Sequence, residues 1–213
     1  MRVTLKLATS LDGRIATAAG ESRWITGEAA RAATHQLRAE HDAVLVGVET
    51  ALADDPELTV RLPGFAGAQP ARVVLDSQLR LPETSKLAAT ARTTPTYAVT
   101  ISNLNERLTS VGVKVLQVKA VGERPDLQAT LDALEAEGIT SVLVEGGGQV
   151  AASFLRCELV DAIEWFRAPI MLGGEGRPAV GALALTALAE APKFKRVSAE
   201  PVGEDLWERY ERI

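Results

Sequence analysis

Three stretches carry residue types that do chemistry when gathered. The first, VLVEGGGQVAASFL at residues 142–155, is a short apolar run that ends in Glu145 and three glycines, then turns helical. Glycine permits positive φ and close approach of another group to the backbone. A helix N-terminus presents unpaired N–H groups and partial positive charge. Strand, glycines, helix is therefore either a phosphate cradle or a tight turn with no ligand. It is not the dinucleotide fingerprint. The G-x-G-x-x-G spacing is absent, the run is late in the chain, and Asp161 is too near to be the acid expected about 20 residues downstream.

The second stretch is LKLATSLDGRIATAAGESRWITG, residues 5–27. Lys6 falls inside an expected central strand, where an unpaired ammonium is costly. It either faces a ligand at an open end of the sheet or snorkels to solvent. Ser10-Leu11-Asp12-Gly13 makes a turn, and Thr26 is the expected N-cap of the next helix. Trp24 is either a lid packed on the core or a wall against a flat ring. The third stretch, VGVETALADDPELTVRLPG at residues 46–64, places a helical turn from Glu49 ahead of Asp54-Asp55-Pro56. Pro56 biases Asp55 away from helix, so the turn ends there. Taken singly, the two acids read as a solvated turn and Arg61 as a surface arginine.

Such groups need a sheet to position them. Apolar, β-branched runs occur at VTLKLATS, DAVLVG, ARVVLDS, TPTYAVT, VKVLQV, TSVLVEGG and AIEWFRAPIML, with helical patterns at 27–40, 127–137 and 149–157. Continuous apolar strands separated by helices mark a parallel sheet covered on both faces. Residues 194–202 and 206–213 flank Gly203-Glu204-Asp205 and predict a closing antiparallel hairpin. The tail EDLWERYERI alternates as an exposed edge strand should. The Gly/Pro-rich loop 63–70 is too short for a boundary, so residues 1–213 read as a single α/β domain with a mixed sheet.

Composition narrows the function classes. Of 213 residues, 46% are apolar, 24% charged and only 4% aromatic, which predicts an ordinary globular chain with an aliphatic core. The single cysteine, Cys157, excludes an internal disulfide and fits a reducing compartment. With two histidines beside it, no metal site is expected. The absence of an apolar leader or a membrane-length span predicts a soluble, cytoplasmic protein without membrane contact. A net charge of −5 argues against nonspecific nucleic-acid binding, but leaves room for an anionic small ligand held by local arginines. Cys157 is expected as a buried small hydrophobe. His35 and His41 are expected as surface or capping residues at one helix end, and Trp165 and Phe166 as core or interface.

In combination, SLDGRIA, GESRWITG, LADDPELTVR and VEGGG resemble the reductase domain of the bifunctional riboflavin-biosynthesis deaminase/reductase. The resemblance continues through ARVVLDSQLRLP and APIMLGGEGRP, and so covers nearly the whole chain. It implies a three-layer α/β/α, dihydrofolate-reductase-like fold with a mixed, mostly parallel sheet and a C-terminal antiparallel hairpin. It also implies a homodimer that reduces a ribosyl to a ribityl group with NADPH. The implied cofactor contacts are Ala8, Trp24, Thr50, Asp54 and Ser77, with Gly147, Gly148, Gln149, Val150, Ala151, Ala152 and Ser153 around the phosphates. Ser22, Arg38, Leu58, Arg61 and Glu145 fall at substrate contacts, and Lys6 matches a lysine that faces the site. Ala8 stands where some relatives carry glycine.

The residue chemistry agrees with these roles. Arg38 and Arg61 can give a sugar phosphate bidentate, charge-assisted donors. Glu145 can accept from pyrimidine amino groups, and Lys6 can donate to a ring carbonyl. With the sugar ring-opened as an imine, hydride would add at C1′. Asp54 or a water it orients would then handle the proton on the imine nitrogen, as a general acid of raised pKa or by stabilising an iminium. Asp54 and Lys6 are thus the expected catalytic pair. The H-x-E and P-C-x-x-C motifs of the family's zinc deaminase do not occur, so a separate deaminase polypeptide is expected upstream. Because Met1 leads at once into the first strand, a free-standing chain is expected. The expected substrate, a phosphorylated aminopyrimidine, is 5-amino-6-(5-phosphoribosylamino)uracil. The alternatives are its undeaminated 2,5-diamino-pyrimidinone counterpart, a pterin-type reductase on the same fold, and a noncatalytic binding module.

Overall fold

The structure is a computed structural model that describes residues 1–103 and 106–213. In chain order the elements are β1 (Arg2–Thr9), β2 (Arg14–Ala16), α1 (Glu28–Ala39), β3 (Ala43–Gly47), α2 (Val48–Asp54), β4 (Ala71–Leu75), α3 (Lys86–Ala89), β5 (Thr96–Thr100) and α4 (Glu106–Ser110). They continue with β6 (Lys114–Gln117), β7 (Ala120–Val121), β8 (Arg124–Pro125), α5 (Leu127–Ala136), β9 (Ser141–Val144), α6 (Gly148–Arg156), β10 (Ala162–Arg167), β11 (Arg177–Pro178), β12 (Phe194–Val202) and β13 (Asp205–Arg212). The chain divides into two compact units. One holds Met1 with residues 35–146, the other residues 2–34 with 147–213.

In the first unit β9, β3, β4, β5 and β6 pair side by side, all parallel. Every residue of β3 is buried, which is why AVLVG reads as an unbroken apolar run rather than an alternating one. The core on this sheet is aliphatic, with Val44, Val46, Leu58, Val74, Leu81, Leu87 and Leu108 packed together. The helices α3 and α5 start on side-chain caps, Ser85 to the Ala88 N–H and Asp126 to the Ala129 N–H.

In the second unit β1 runs parallel to β10, β10 antiparallel to β13, and β13 antiparallel to β12. Gly203 and Glu204 form a two-residue loop between β12 and β13. Gly203 takes φ +64°, the positive value that a type II′ hairpin needs at its first loop position. Asp205, expected in the turn, instead opens β13 and pairs with Val202. Across the chain the sheet pairing is mixed and mostly parallel, with the antiparallel pair at the C-terminus.

Three expectations need correction. The tail strand β13 is not an edge, because it is paired on both sides and β12 is the outer strand of its unit. Its burial does not alternate, with Asp205 and Glu208 buried and the end at Glu211 and Arg212 exposed, and β12, exposed along most of its length, carries the edge charges. Cys157 is exposed. It sits at the C-terminal cap of α6, beyond the buried face made by Ala151, Ala152, Phe154 and Leu155. At the start of α1, Gly27 precedes the first helical residue and Thr26 lies one residue further back. The Gly27 N–H donates to Asp205 Oδ2 at 2.7 Å, and the Thr26 carbonyl accepts from Arg31. Among the described residues no helix is long and apolar enough to cross a membrane.

Candidate active site

In the first unit the end of β9 delivers Glu145, whose N–H donates to the Leu45 carbonyl at 2.9 Å. Gly146 follows against the end of β3. A Cβ there would lie 2.9 Å from Val46 Cα, so only glycine lets the two strand ends come so close. Arg38, in the last turn of α1, reaches Glu145 with both prongs of its fork. Nε donates to Oε1 at 2.6 Å and Nη2 to Oε2 at 2.8 Å. Nη1 donates to the Thr59 carbonyl at 2.9 Å. The two side chains are 11% and 8% exposed, so this is a nearly buried, bidentate ion pair. Burial alone would lower the Arg38 pKa, but the charge and hydrogen bonds of Glu145 outweigh it and raise the pKa above its ordinary value.

The turn after β3 carries the acids. Asp54 is the last residue of α2 and is exposed. Asp55 caps that helix in the left-handed region at φ 39°, and its Oδ1 accepts the Lys86 N–H at 2.8 Å. Thr50 is half-buried in α2, and Leu58 is buried with φ +54°. Arg61 is exposed and, among the described residues, has the distant Glu57 Oε2, at 3.4 Å, as its acidic partner. Ser77 follows β4, and its carbonyl accepts both the Thr100 hydroxyl at 2.9 Å and the Ser102 hydroxyl at 2.8 Å.

In the second unit Lys6 and Ala8 point from the same face of β1, in register with Glu164 and Phe166 of β10. Glu164 is held in turn by Trp207 Nε1 at 2.6 Å and Arg209 Nε at 3.1 Å. The Lys6 ammonium lies 5.9 Å from the Phe166 ring centre. Ser22 is half-buried, and its carbonyl accepts the Ile25 N–H. Trp24 is 68% exposed, so it is not a lid packed on the core. The Arg31 guanidinium stacks at 4.6 Å from one side of its ring.

The glycine run resolves into a helix cap. Gly147, at φ +61°, precedes α6 and gives no side-chain cap. The first intrahelical bond is from the Ala151 N–H to the Gly147 carbonyl at 3.1 Å, so the N–H groups of Gly148, Gln149 and Val150 lie ahead of the helical ladder. Gly148 is boxed in, because a Cβ would meet the Pro178 carbonyl oxygen at 2.5 Å. Ala152 is buried and Ser153 bonds back to the Gln149 carbonyl at 2.9 Å, both within the helix body. An uncapped helix start with a bare backbone suits a phosphate.

Two relations escaped the sequence. Arg38, expected on a phosphate, forks instead onto Glu145, which lies 107 residues away in the chain. His35 lies inside α1 rather than at its end, half-buried, with Nδ1 3.1 Å from the Thr59 carbonyl oxygen. Its only signal is its place one turn before Arg38 on the same helix face. His41 does act at the helix end, with Nδ1 2.6 Å from the Leu37 carbonyl oxygen.

Comparison with known proteins bears on this arrangement. The model of the RibD C-terminal domain matches residues 1–207. The riboflavin biosynthesis protein RibD of Actinobacillus pleuropneumoniae is 40% identical over 96% of the chain, which spans 55% of that protein. The chain thus spans about half the length of the first such relatives it matches. A 2,5-diamino-6-ribosylamino-4(3H)-pyrimidinone 5′-phosphate reductase of Methanothermobacter thermautotrophicus is 37% identical over 98% of the chain and 96% of its own length. Among solved structures, RibD of Acinetobacter baumannii superposes with a TM-score of 0.87 at 32% identity, covering 100% of this chain and 58% of that one. The fold is accordingly dihydrofolate-reductase-like, as the resemblance implies. By the extent of these matches, the chain belongs to the RibD C-terminal domain family.

Proposed function

We propose that this chain is an oxidoreductase that reduces the ribosyl group of 5-amino-6-(5-phosphoribosylamino)uracil to ribityl with NADPH. The observation that carries the reading is the buried Arg38–Glu145 pair at the end of β9, followed at once by the uncapped start of α6. The pair sets an acceptor rigidly, as recognition of an aminopyrimidine requires. The helix start offers the cofactor's phosphates the N–H groups of Gly148, Gln149 and Val150. Ala8, Trp24, Thr50, Asp54 and Ser77 are the further cofactor contacts, and Ser22, Leu58 and Arg61 the further substrate contacts.

When bound, the cofactor supplies a hydride equivalent to C1′ of the ring-opened sugar imine. Glu145 accepts hydrogen bonds from the ring amino groups, and Arg38 keeps both its oxygens in one plane. Lys6 donates to a ring carbonyl. Arg61, exposed and weakly paired, takes the phosphate. Asp54 manages the proton at the imine nitrogen. Its exposure at the end of α2 favours a water-mediated transfer or charge stabilisation over a buried acid. We further propose a homodimer, a cytoplasmic location, and a separate deamination that supplies the uracil substrate.

A second reading has its own support. The Methanothermobacter relative, matched over nearly its full length, is named for the undeaminated substrate. NADPH oxidation followed with both ribosyl 5′-phosphates in parallel decides. Turnover of the uracil compound alone is expected. Turnover of the diamino compound alone moves the chain to the second reading, and silence with both, while NADPH binds, overturns the function.

A further inference from the structure

His35 stands one turn before Arg38 on α1 and faces the same segment, residues 57–61. Its Nδ1 is 3.1 Å from the Thr59 carbonyl oxygen and 3.3 Å from the Arg61 backbone nitrogen. One ring nitrogen cannot serve both. It needs a proton to donate to Thr59 and a lone pair to accept from Arg61. The Thr59 carbonyl already accepts Arg38 Nη1 at 2.9 Å, whereas His35 Nδ1 is the acceptor for the Arg61 N–H. The Thr59 oxygen, already bonded to Arg38, needs no further donor, while the Arg61 N–H has Nδ1 as its acceptor among the described residues, and on this ground we take Nδ1 as acceptor with the ring proton on Nε2.

We propose that His35 is a positioning residue for substrate phosphate: its neutral Nε2–H imidazole latches the Arg61 backbone to α1 and so sets where the Arg61 guanidinium is presented. The proposal rests on the reading above that Arg61 meets the phosphate. The charged groups that face the ring are Arg38 on α1, Arg61 in the segment it latches, and Glu145 at the end of β9, with Glu57 paired to Arg61. Burial first, and then the charges of Arg38 and Arg61, hold the imidazole pKa below its ordinary value, so the neutral latch is the form present at neutral pH. Protonation puts a hydrogen on Nδ1, swings the bond to Thr59 and leaves the Arg61 N–H facing another N–H. The imidazolium also adds a charge that by itself would favour an anion. The two effects have opposite signs, and the latch is the one we assign as dominant.

The full-length chain, labelled with ¹⁵N-histidine, tests the tautomer without any need for activity. An Nε2–H imidazole at pH 7, titrating below the ordinary histidine range, is expected, and an Nδ1–H tautomer overturns the proposal. Kinetics test the consequence. His35→Leu is expected to raise KM for the ribosylaminopyrimidine phosphate about fivefold with kcat nearly unchanged. His35→Asn, whose side chain carries an acceptor near the place of Nδ1, is expected to restore the KM. Acidification is expected to raise KM in the parent and not in His35→Asn. An unchanged KM in His35→Leu, or a KM that falls on acidification, overturns the latch. If the parent turns over no aminopyrimidine phosphate, the proposed function fails instead, and the nitrogen shifts still decide the tautomer.

Discussion

Arg38 and Arg61 differ more than their contexts in the sequence suggest. Arg38 is nearly buried against Glu145, whereas Arg61 is mostly exposed. Removing one partner of a buried pair strands a charge, so Glu145→Ala is expected to cost about 3 kcal/mol of stability. Arg61→Ala breaks long, solvent-exposed contacts to Glu57 and Thr59 and is expected to change stability by less than about 0.5 kcal/mol while raising KM. Urea midpoints of the two variants measure this, and equal losses would remove the distinction. Asp54, proposed above to manage the proton, is exposed at the end of α2. Asp54→Asn is expected to lower kcat by about a hundredfold. Turnover within a few-fold of the parent would exclude both the proton-transfer and the charge-stabilising role. The types of these residues were legible in the sequence. Their pairing was not, because Arg38 meets Glu145 only after β9 has been laid beside β3.

At the scale of elements, α6 depends on how closely other backbone approaches its first turn. The Gly181 N–H donates to the Gly148 carbonyl at 2.8 Å, and the Pro178 oxygen lies 2.5 Å from where a Cβ at Gly148 would stand. Gly148→Ala is therefore expected to cost about 1–3 kcal/mol and to weaken NADPH binding. Unchanged affinity by calorimetry would separate this cap from the cofactor. The turn after β1 is tied to the segment 172–173 through Asp12. The Ser10 hydroxyl and the N–H groups of Leu172 and Gly173 hold its carboxyl down to about 2, from 3.8. A depressed carboxylate contributes stability that is complete above the unfolded value and is lost as pH falls through the folded one. The stability gap between the parent and Asp12→Asn should thus be full above about pH 4 and close towards pH 2. A gap that persists at pH 2 would contradict it. The long parallel strands were legible because burial on both faces leaves an unmistakable apolar run. The pair β2–β11 was not, since two- and three-residue strands 160 residues apart leave no periodicity. Nor was the place of β13 between β10 and β12, because a residue pattern does not report how many neighbours a strand has.

At the scale of the whole molecule, the two compact units differ in how they are drawn from the chain. One is nearly continuous, while the other joins residues 2–34 to residues 147–213. The division falls between Met1 and Arg2, between Thr34 and His35 within the residues of α1, and between Gly146 and Gly147 in the glycine run. We propose that residues 1–213 unfold as one domain. The sequence offers the means to check. Trp24, Trp165 and Trp207, its three tryptophans, all belong to the discontinuous unit, and the aliphatic core around Val46 and Leu87 has none. Tryptophan fluorescence therefore reports one unit and far-ultraviolet circular dichroism both. In urea the two probes are expected to give the same midpoint and slope, the sign of a two-state transition. A fluorescence transition that precedes the dichroism would mean that the discontinuous unit unfolds on its own.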